Sequence, residues 1–173
     1  NLDIVLARLG KLMNVEKDTL ILFITSHGIE NVLGVQFKPF PLNHLTPPRL
    51  AEMLDRSGIR NRIIIISACH SGSFIPALRH PTTLVMTAAR ADRASFGCDN
   101  ANDWTFFGNA LFDHALRETT SLTQAFARAA KLISAWEAAE KFTPSLPQLF
   151  VGDRMGPVID GLAGGLASAQ SRN

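Results

Sequence analysis

The amino-acid sequence predicts a three-layer α/β/α domain built on a mostly parallel sheet. Two short apolar runs, residues 20–25 and 63–66, are rich in β-branched side chains and too short to be buried helices, so each is predicted to be a buried parallel strand. Helical segments alternate with these strands along the chain. A strand, helix, strand order implies right-handed crossovers, which place helices on both faces of the sheet.

The remaining elements follow from apolar spacing and from residues that start or stop helices. Apolar side chains at three- and four-residue intervals predict a first helix at the N-terminus. Thr46 and Pro47 are typical of a helix start, and the Ser-Gly pair at 57–58 is typical of a helix end. Ser121 and Gln124 form a capping box at the start of another helix. The predicted order is helix 2–13, strand 20–25, a small hairpin or flap over 31–37, helix 47–56, strand 63–66, a short helix over 74–80 broken by Pro76, strand 83–87, helices 106–116 and 121–142, and a short strand 149–151.

These elements form one predicted domain over residues 1–154. The chain has 173 residues, of which 46% are hydrophobic and 18% charged, and this is enough for one domain with a buried core. Beyond Met155 the content of glycine, alanine and serine predicts a flexible C-terminal tail over residues 155–173.

Charge and composition exclude several function classes. The net charge is +2, and no segment combines basic and aromatic residues as a nucleic-acid groove requires. No run approaches the roughly 20 apolar residues that span a bilayer. The two cysteines form neither a disulfide framework nor a four-ligand zinc site. The sequence lacks a glycine-rich phosphate loop, which counts against a nucleotide-binding domain. We therefore expect no nucleic-acid partner, no membrane segment in this chain, no metal and no cofactor.

The predicted strands 20–25 and 63–66 each deliver a reactive side chain at the carboxyl end. His27 follows the first strand and Cys69 follows the second. Because the carboxyl ends of parallel strands share one edge of the sheet, where ligand crevices form, we expect the imidazole and the thiol to meet over one site. A nearby imidazole raises the thiolate fraction of a cysteine. Gly28 has no Cβ, so its amide and the amide of Cys69 are candidate donors to an oxyanion.

Other histidines and the second cysteine compete for these roles. His70 is adjacent to Cys69, but consecutive residues at a strand end point in opposite directions, which favours His27 as the base. Cys98 lies away from a strand end and is predicted to be mostly structural. The remaining histidines have no matching partner in the sequence and are predicted to lie at the surface: His44, His80 and His114.

Three sequence blocks resemble the ordered motifs of the legumain-like cysteine peptidases, particularly their bacterial members. The blocks are residues 23–28 (FITSHG), 67–73 (SACHSGS) and 87–98 (TAARADRASFGC). The resemblance covers most of residues 1–152 and implies a caspase-like fold. By resemblance His27 is the catalytic histidine and Cys69 the nucleophile, and the amides of Gly28 and Cys69 form the oxyanion hole. The resemblance implies a peptide or protein substrate and a dyad without a third acid.

The resemblance also implies cleavage after asparagine, and sometimes aspartate, with three candidate pocket residues. Asp103, before a tryptophan, matches one acidic pocket position of the family, although a helix cap ahead of residue 105 is the structural alternative. Ser95 matches one of two serines that precede an aromatic residue in the family. Ser67 stands where the family has an acidic residue and where metacaspases have the aspartate that binds Arg or Lys, so an Arg or Lys pocket is not expected.

The resemblance implies elements upstream of residue 1. In the family, two strands and a helix precede the helix that is matched here, and the first of those strands supplies basic pocket residues. We therefore expect this chain to be part of a longer protein, whose upstream part is where a membrane anchor or export signal would lie. Strand 20–25 is then expected to be an exposed sheet edge through which the chain self-associates.

Two other function classes stay open. A transamidase or ligase uses the same Cys69 thioester, with an amine in place of water as the acceptor. A catalytically inactive caspase-like module that binds partners is the non-enzymatic alternative, and the intact His27, Gly28 and Cys69 count against it.

Overall fold

The computed structural model describes residues 2–98 and 102–170, with side chains in the last helix described as far as residue 164. In chain order the elements are helix α1 (Leu2–Leu12), strands β1 (Thr19–Thr25), β2 (Gly28–Ile29) and β3 (Val32–Leu33), helix α2 (Pro47–Arg56), strand β4 (Asn61–Ser67), a 3-10 turn (Ser71–Phe74), helix α3 (Ile75–Leu78), strand β5 (Thr83–Thr87), helix α4 (Phe106–Gly108), a π-helical segment (Asn109–Ala115), helices α5 (Leu116–Glu118) and α6 (Leu122–Ala139), strand β6 (Gln148–Val151) and helix α7 (Gly156–Gln170).

The described strands of the central sheet lie in the order β1-β4-β5-β6. Strands β1, β4 and β5 are parallel, and β6 is antiparallel to β5. The predicted α/β class with a mostly parallel sheet is therefore confirmed. Strands β2 and β3 form a separate small hairpin, which starts directly after β1 and is shorter than the hairpin predicted over 31–37.

Alternate side chains of β4 point to opposite faces of the sheet and are buried on both. Ile63 and Ile65 join the core that contains the helices of the second half of the chain, whereas Ile64 and Ile66 join the core that contains α1, α2 and α3. All four are at most 3% exposed. Burying one such side chain contributes about 1.5–3 kcal/mol, so the strand that delivers Cys69 is fixed at the centre of the domain.

Strand β1 forms one edge of the described sheet. Its side chains alternate between the core and the solvent, and Ile21 and Phe23 on the outer positions are 58% and 43% exposed. The Phe23 ring packs edge-on against Phe112, with ring centroids 5.1 Å apart. The outer face of β1 therefore combines apolar side chains with an unpaired strand edge in the described part of the chain.

The turn after β4 differs from the predicted helix broken by Pro76. The 3-10 turn Ser71–Phe74 comes first, and Pro76 lies in the first turn of α3. Proline is compatible with a first helical turn, because an N–H at that position has no partner within the helix. Pro76 therefore begins this short helix and does not interrupt it.

The two longer helices predicted in the second half of the chain form close to their predicted positions. Residues 106–118 are helical, with a π-helical segment at the centre that the sequence does not signal. At the start of α6 the Ser121 hydroxyl accepts a hydrogen bond from the Gln124 amide at 3.4 Å, as the capping box predicts.

Helix α6 ends at Ala139, before the predicted end at Phe142. Lys141 adopts a left-handed backbone conformation, with φ at 58°. The amide of Phe142 reaches back to the carbonyl of Glu137 at 2.8 Å. This arrangement is a Schellman motif, which closes a helix and here does so with lysine in the position that glycine usually occupies.

The segment expected as a flexible tail from residue 155 contains helix α7. Met155 is fully buried and Ile159 is 8% exposed in the core, and Val158 and Leu162 pack against the same core. These apolar side chains recur at three- and four-residue spacing, and that spacing outweighs the glycine and serine content on which the expectation rested. Neither α7 nor any other helix among the described residues is long and apolar enough to cross a membrane.

Candidate active site

Cys69 and His27 follow adjacent parallel strands and lie at the same edge of the sheet. Thr25, the last residue of β1, is the register partner of Ser67, the last residue of β4. The ladder extends one residue further, because the Ser26 amide donates to the Ser67 carbonyl at 3.2 Å. Each candidate residue is therefore two positions beyond a paired strand end, as the sequence predicts.

Gly28 allows the His27 segment to pack directly on the backbone of Cys69. A Cβ on Gly28 would lie 2.3 Å from the Cys69 carbonyl oxygen and 3.3 Å from the Cβ of Ala68. Any side chain at this position would push the two strand ends apart. The close backbone approach is the condition for an oxyanion donor at Gly28, and that role stays a prediction.

The turn that follows Cys69 is held by the chain beyond β5. His70 has a left-handed φ of 57°. Its amide donates to the Arg93 carbonyl at 2.7 Å, and its ring Nδ1 lies 2.9 Å from the Ala91 carbonyl oxygen. Because a carbonyl oxygen only accepts, Nδ1 of His70 carries the proton of this bond. At Gly72 a Cβ would lie 2.7 Å from the Ala91 amide nitrogen, so the turn has no room for a side chain there.

The sulfur of Cys69 packs against the segment 95–98. The Ser95 amide donates to this sulfur at 3.2 Å and the Ser95 hydroxyl at 3.7 Å, while the Ser95 carbonyl lies 3.4 Å from it. The side chain of Cys98 also forms a hydrogen bond with the Cys69 side chain. Cys98, which the sequence assigns to a mostly structural role, is therefore a direct neighbour of the candidate nucleophile. Its signal in the sequence is the third motif block, which contains both Ser95 and Cys98.

These hydrogen bonds lower the pKa of the Cys69 thiol to about 5. The hydrogen bond from the Cys98 side chain is the largest cause, and partial burial acts in the opposite direction. The amide and hydroxyl of Ser95 and the charge of the nearby His70 lower the pKa further. A thiol with this pKa is a thiolate at neutral pH, and the thiolate is the nucleophilic form.

A cavity of about 330 Å³ lies beside His27. Its lining includes Thr25 and His27 from the end of β1, and Cys98 and Asp103 from the chain between β5 and α4. Among the described residues, no hydrogen bond joins the His27 imidazole to the Cys69 sulfur. The structure thus brings the two residues to one sheet edge, while the hydrogen bonds to the thiolate come from the segment 95–98.

A second cavity, of about 750 Å³, lies against Ser26 and His27 and is lined by the loop 34–44. Two hydrogen bonds hold this loop to the end of β1. The Gly34 amide donates to the His27 carbonyl at 2.8 Å, and the Ser26 hydroxyl donates to the Gly34 carbonyl at 2.6 Å. His27 therefore lines both cavities, and each offers room for residues of a peptide.

The three predicted pocket residues occupy different positions around the first cavity. Asp103 lines it, and the residue that caps α4 is Thr105, so a helix cap does not explain the acid at 103. Ser67 is 2% exposed, and its hydroxyl lies 2.9 Å from the Thr105 hydroxyl. Ser67 supports the cavity wall from behind, whereas Ser95 contacts the sulfur of the candidate nucleophile.

Comparisons with known proteins agree with this geometry. A sequence model of the Peptidase C13 family matches residues 4–157. Among solved structures, the crystal structure of caspase-1 from Spodoptera frugiperda matches with a TM-score of 0.63 and 16% sequence identity. The match covers 87% of this chain and 66% of the caspase-1 chain, and at this identity it shows a shared caspase-like fold. None of the curated proteins matches the chain significantly.

Proposed function

The chain belongs to the Peptidase C13 family, the legumain family of cysteine peptidases, and we propose that it is an endopeptidase with Cys69 as nucleophile and His27 as the proton-transferring group. The observation that carries this proposal is the Cys69 thiol, whose pKa is lowered to about 5 at the same sheet edge that delivers His27. An inert buried cysteine has no such hydrogen-bond donors around its sulfur.

Acylation begins when the Cys69 thiolate attacks the carbonyl carbon of the scissile peptide bond. The carbonyl oxygen becomes an oxyanion, and the backbone amides of Gly28 and Cys69 are its donors. The C–N bond then breaks, and the leaving nitrogen takes a proton from the His27 imidazolium. Because the thiolate is already present at neutral pH, the main task of His27 in this half-reaction is to protonate the leaving amine.

Deacylation returns the enzyme to its starting state. The thioester on Cys69 is attacked by water, and His27, now neutral, accepts the proton from that water. The second tetrahedral intermediate releases the carboxylic acid and the Cys69 thiolate. His27 is protonated again at the end, so one imidazole serves as acid in the first step and as base in the second.

We further propose that the cavity between His27 and Asp103 takes an asparagine side chain before the cut, with aspartate as a weaker alternative. A carboxylate at 103 accepts a hydrogen bond from the carboxamide NH2 of asparagine. Ser95 supplies a hydroxyl 3.7 Å from the Cys69 sulfur. An aspartate side chain has no NH2 donor and would place a second negative charge near Asp103 unless it is protonated.

The proposal is tested by cleavage of a positional peptide library, with mass spectrometry to identify the new termini. We expect cuts after asparagine and loss of turnover in the variants Cys69→Ala and His27→Ala, both of which should remain folded. His80→Ala is the matched histidine control, since His80 is exposed and lines neither cavity, and its ring bonds only to Thr82 within the described part of the chain. Cleavage that survives in Cys69→Ala would overturn the proposal.

The same library separates hydrolysis from acyl transfer. Adding a peptide amine as a competing acceptor produces a ligated product if the thioester reacts with amines in preference to water. We expect the free carboxylic acid to be the main product. A dominant ligated product would assign the chain to the transamidase class, with the roles of Cys69 and His27 unchanged.

A further inference from the structure

A further cavity, of about 270 Å³, adjoins the proposed asparagine pocket. Gly97 and Asn102 line both, so the two cavities are neighbours. The rest of the lining of this aromatic cavity is three phenylalanine rings and one carboxylate: Phe96, Phe106, Phe142 and Glu140. We propose that the aromatic cavity binds the side chain of an arginine or lysine upstream of the cleaved asparagine. This inference deepens the proposed function and rests on it for the position of the cut.

The three rings come from separate parts of the chain. Phe96 belongs to the segment 95–98, Phe106 begins α4, and Phe142 follows α6. The rings of Phe96 and Phe142 are stacked with centroids 4.3 Å apart, and the Phe106 centroid lies 6.4 Å and 6.2 Å from them. Phe142 is nevertheless 40% exposed. Because a cation within about 6 Å of a ring centroid is attracted to the face of the ring, the cluster suits a guanidinium or ammonium group.

Glu140 supplies the negative charge of the aromatic cavity. It directly follows the last residue of α6, is exposed, and takes part in no ion pair within the described chain. The carboxyl end of a helix carries partial negative charge, so a carboxylate at this position is unfavourable for the helix itself. Among the described residues, none of those that line the cavity is basic. A cationic side chain of a substrate would therefore complement both the rings and the carboxylate.

The position of the aromatic cavity assigns its ligand to the part of the substrate that precedes the cut. The leaving amine must lie near His27, which gives it a proton. His27 lines the first and second cavities and not this one. Because the aromatic cavity shares Gly97 and Asn102 with the proposed asparagine pocket, residues upstream of the asparagine reach it. A neutral apolar side chain also packs well against phenylalanine, so the experiment has to isolate the charge.

The experiment uses peptides that differ only in charge upstream of the asparagine. Each peptide of the set carries arginine, or its neutral isostere citrulline, at one upstream position in turn. At one position kcat/KM of the wild type should favour arginine by roughly fivefold or more, from a cation–π contact and an exposed ion pair. Glu140→Lys should reverse this preference, because it replaces the carboxylate with a like charge.

Two further variants separate the contributions of ring and charge. Phe142→Leu keeps an apolar side chain and removes one ring, so the preference for arginine over citrulline should shrink by about two- to fivefold. Asp160→Lys is the control for charge reversal, since Asp160 is exposed in α7 and lines none of the three cavities. The preference should be the same in Asp160→Lys as in the wild type.

A binding measurement separates this inference from the peptidase assignment. Cys69→Ala forms no thioester but keeps the aromatic cavity, so fluorescence anisotropy gives its affinity for each labelled peptide without turnover. Tighter binding of an arginine peptide, reversed when Glu140→Lys is added, supports the cation site. The same result with a wild type that cleaves no peptide overturns the peptidase proposal alone.

Three results would overturn the cation site, whatever the turnover. The first is equal affinity for arginine and citrulline at every upstream position. The second is binding of neither kind of peptide. The third is a preference for arginine that Glu140→Lys leaves intact, because the carboxylate then has no part in it.

Discussion

The backbone amide of Ser95 donates a hydrogen bond to the sulfur of Cys69 at 3.2 Å, across 26 residues of sequence. A backbone donor cannot be removed by substituting the side chain, so the part of the thiolate stabilisation that comes from this amide depends on the backbone conformation alone. The rest comes from the side chains of Ser95 and Cys98 and from the charge of His70. The reactivity of Cys69 is therefore set mainly by the segment 95–98 and only partly by histidine.

The first prediction concerns the pH dependence of Cys69. Its pKa is lowered to about 5, so the thiolate is present above that pH and is lost as the pH falls through about 5. We expect the rate at which iodoacetamide alkylates Cys69 to have its midpoint at about pH 5. The reaction is followed in the tryptic peptide 63–79, which contains Cys69. Cys98→Ala removes the largest stabilising hydrogen bond and should move the midpoint upward, toward the ordinary value of a thiol.

Ser95→Ala is the matched control for this measurement. It removes the hydroxyl at 3.7 Å but keeps the amide at 3.2 Å, so its midpoint should move upward by less than that of Cys98→Ala. A wild-type midpoint between pH 8 and 9, about where an unperturbed cysteine titrates, would show that these hydrogen bonds do not form in solution.

The second prediction concerns the contact between Gly28 and Cys69. In Gly28→Ala the new methyl group would meet the Cys69 carbonyl oxygen at 2.3 Å, and the two strand ends must separate to admit it. We expect a loss of about 1–3 kcal/mol in the free energy of unfolding, together with loss of turnover, measured by denaturant titration and by peptide cleavage.

Gly161→Ala is the glycine control. No atom of the described residues lies within 4 Å of a Cβ at Gly161, which is in the exposed part of α7. Because alanine is favoured over glycine inside a helix by roughly 0.5–1 kcal/mol, this variant should be as stable as the wild type or slightly more stable. Equal stability and turnover in Gly28→Ala would contradict the close approach of the two strand ends.

The third prediction concerns Glu137, a carboxylate that is only 2% exposed. Both of its oxygens accept from the Ser145 amide at 3.1 Å, and the Ser145 carbonyl accepts from the Arg90 amide at 2.9 Å. Glu137→Ala leaves the buried amide without an acceptor, which costs about 1–3 kcal/mol of unfolding free energy. Glu137→Gln keeps one carbonyl oxygen and should lose less. Equal losses in the two variants would assign the effect to the charge of the carboxylate and not to the loss of an acceptor.

The fourth prediction concerns Asp103 in the proposed asparagine pocket. Asp103→Asn removes a charged acceptor, whose hydrogen bond is worth about 1.5–3 kcal/mol, so kcat/KM for an asparagine substrate should fall by roughly tenfold or more. Asp113→Asn is the control, because Asp113 pairs with Arg117 away from both cavities. A preference for arginine or lysine directly before the cut, in the wild type or in the Asp113→Asn control, would contradict the pocket assignment.

The fifth prediction concerns the sheet edge at β1. We propose that β1 pairs with the same strand of a second chain, since Ile21 and Phe23 are exposed along it. Sedimentation velocity should then show a concentration-dependent dimer, which Ile21→Lys weakens. Ile29→Lys, at an equally exposed isoleucine in the β2–β3 hairpin, should leave the dimer intact. A monomer at every concentration, with full turnover, would contradict pairing through β1.

Much of the fold could be predicted because its strands are buried on both faces. Residues 63–66 have no polar side chain to alternate with the apolar ones, and that pattern is typical of a central parallel strand. The positions of His27 and Cys69 follow from the strand ends alone, without knowledge of side-chain packing. The same local reasoning could not place α7, whose helix depends on burying Met155 and Ile159 against the rest of the core.

The candidate site was predictable in its strand-end residues and not in its loop residues. Nothing local to Cys98 indicates that its side chain acts on Cys69, because the segment after β5 that carries Ser95 and Cys98 reaches Cys69 only in the folded chain. Ser67 differs from Cys98 in the opposite sense, because the sequence assigns it to the pocket and the structure places it behind the cavity wall. Its sequence position suggests a pocket residue, but the strand register turns its hydroxyl toward Thr105.

Covalent labelling with a peptidyl-asparagine chloromethyl ketone, measured together with peptide cleavage, tests whether Cys69 and His27 act as one dyad. We expect one adduct per chain, on Cys69 in the tryptic peptide 63–79, in the wild type, in His27→Ala and in His80→Ala, because the thiolate does not depend on His27. Cleavage of an asparagine peptide should be lost in His27→Ala alone, because the leaving amine then has no proton donor. An adduct on Cys98, or peptide cleavage that survives in His27→Ala, would contradict a dyad formed by the ends of β1 and β4.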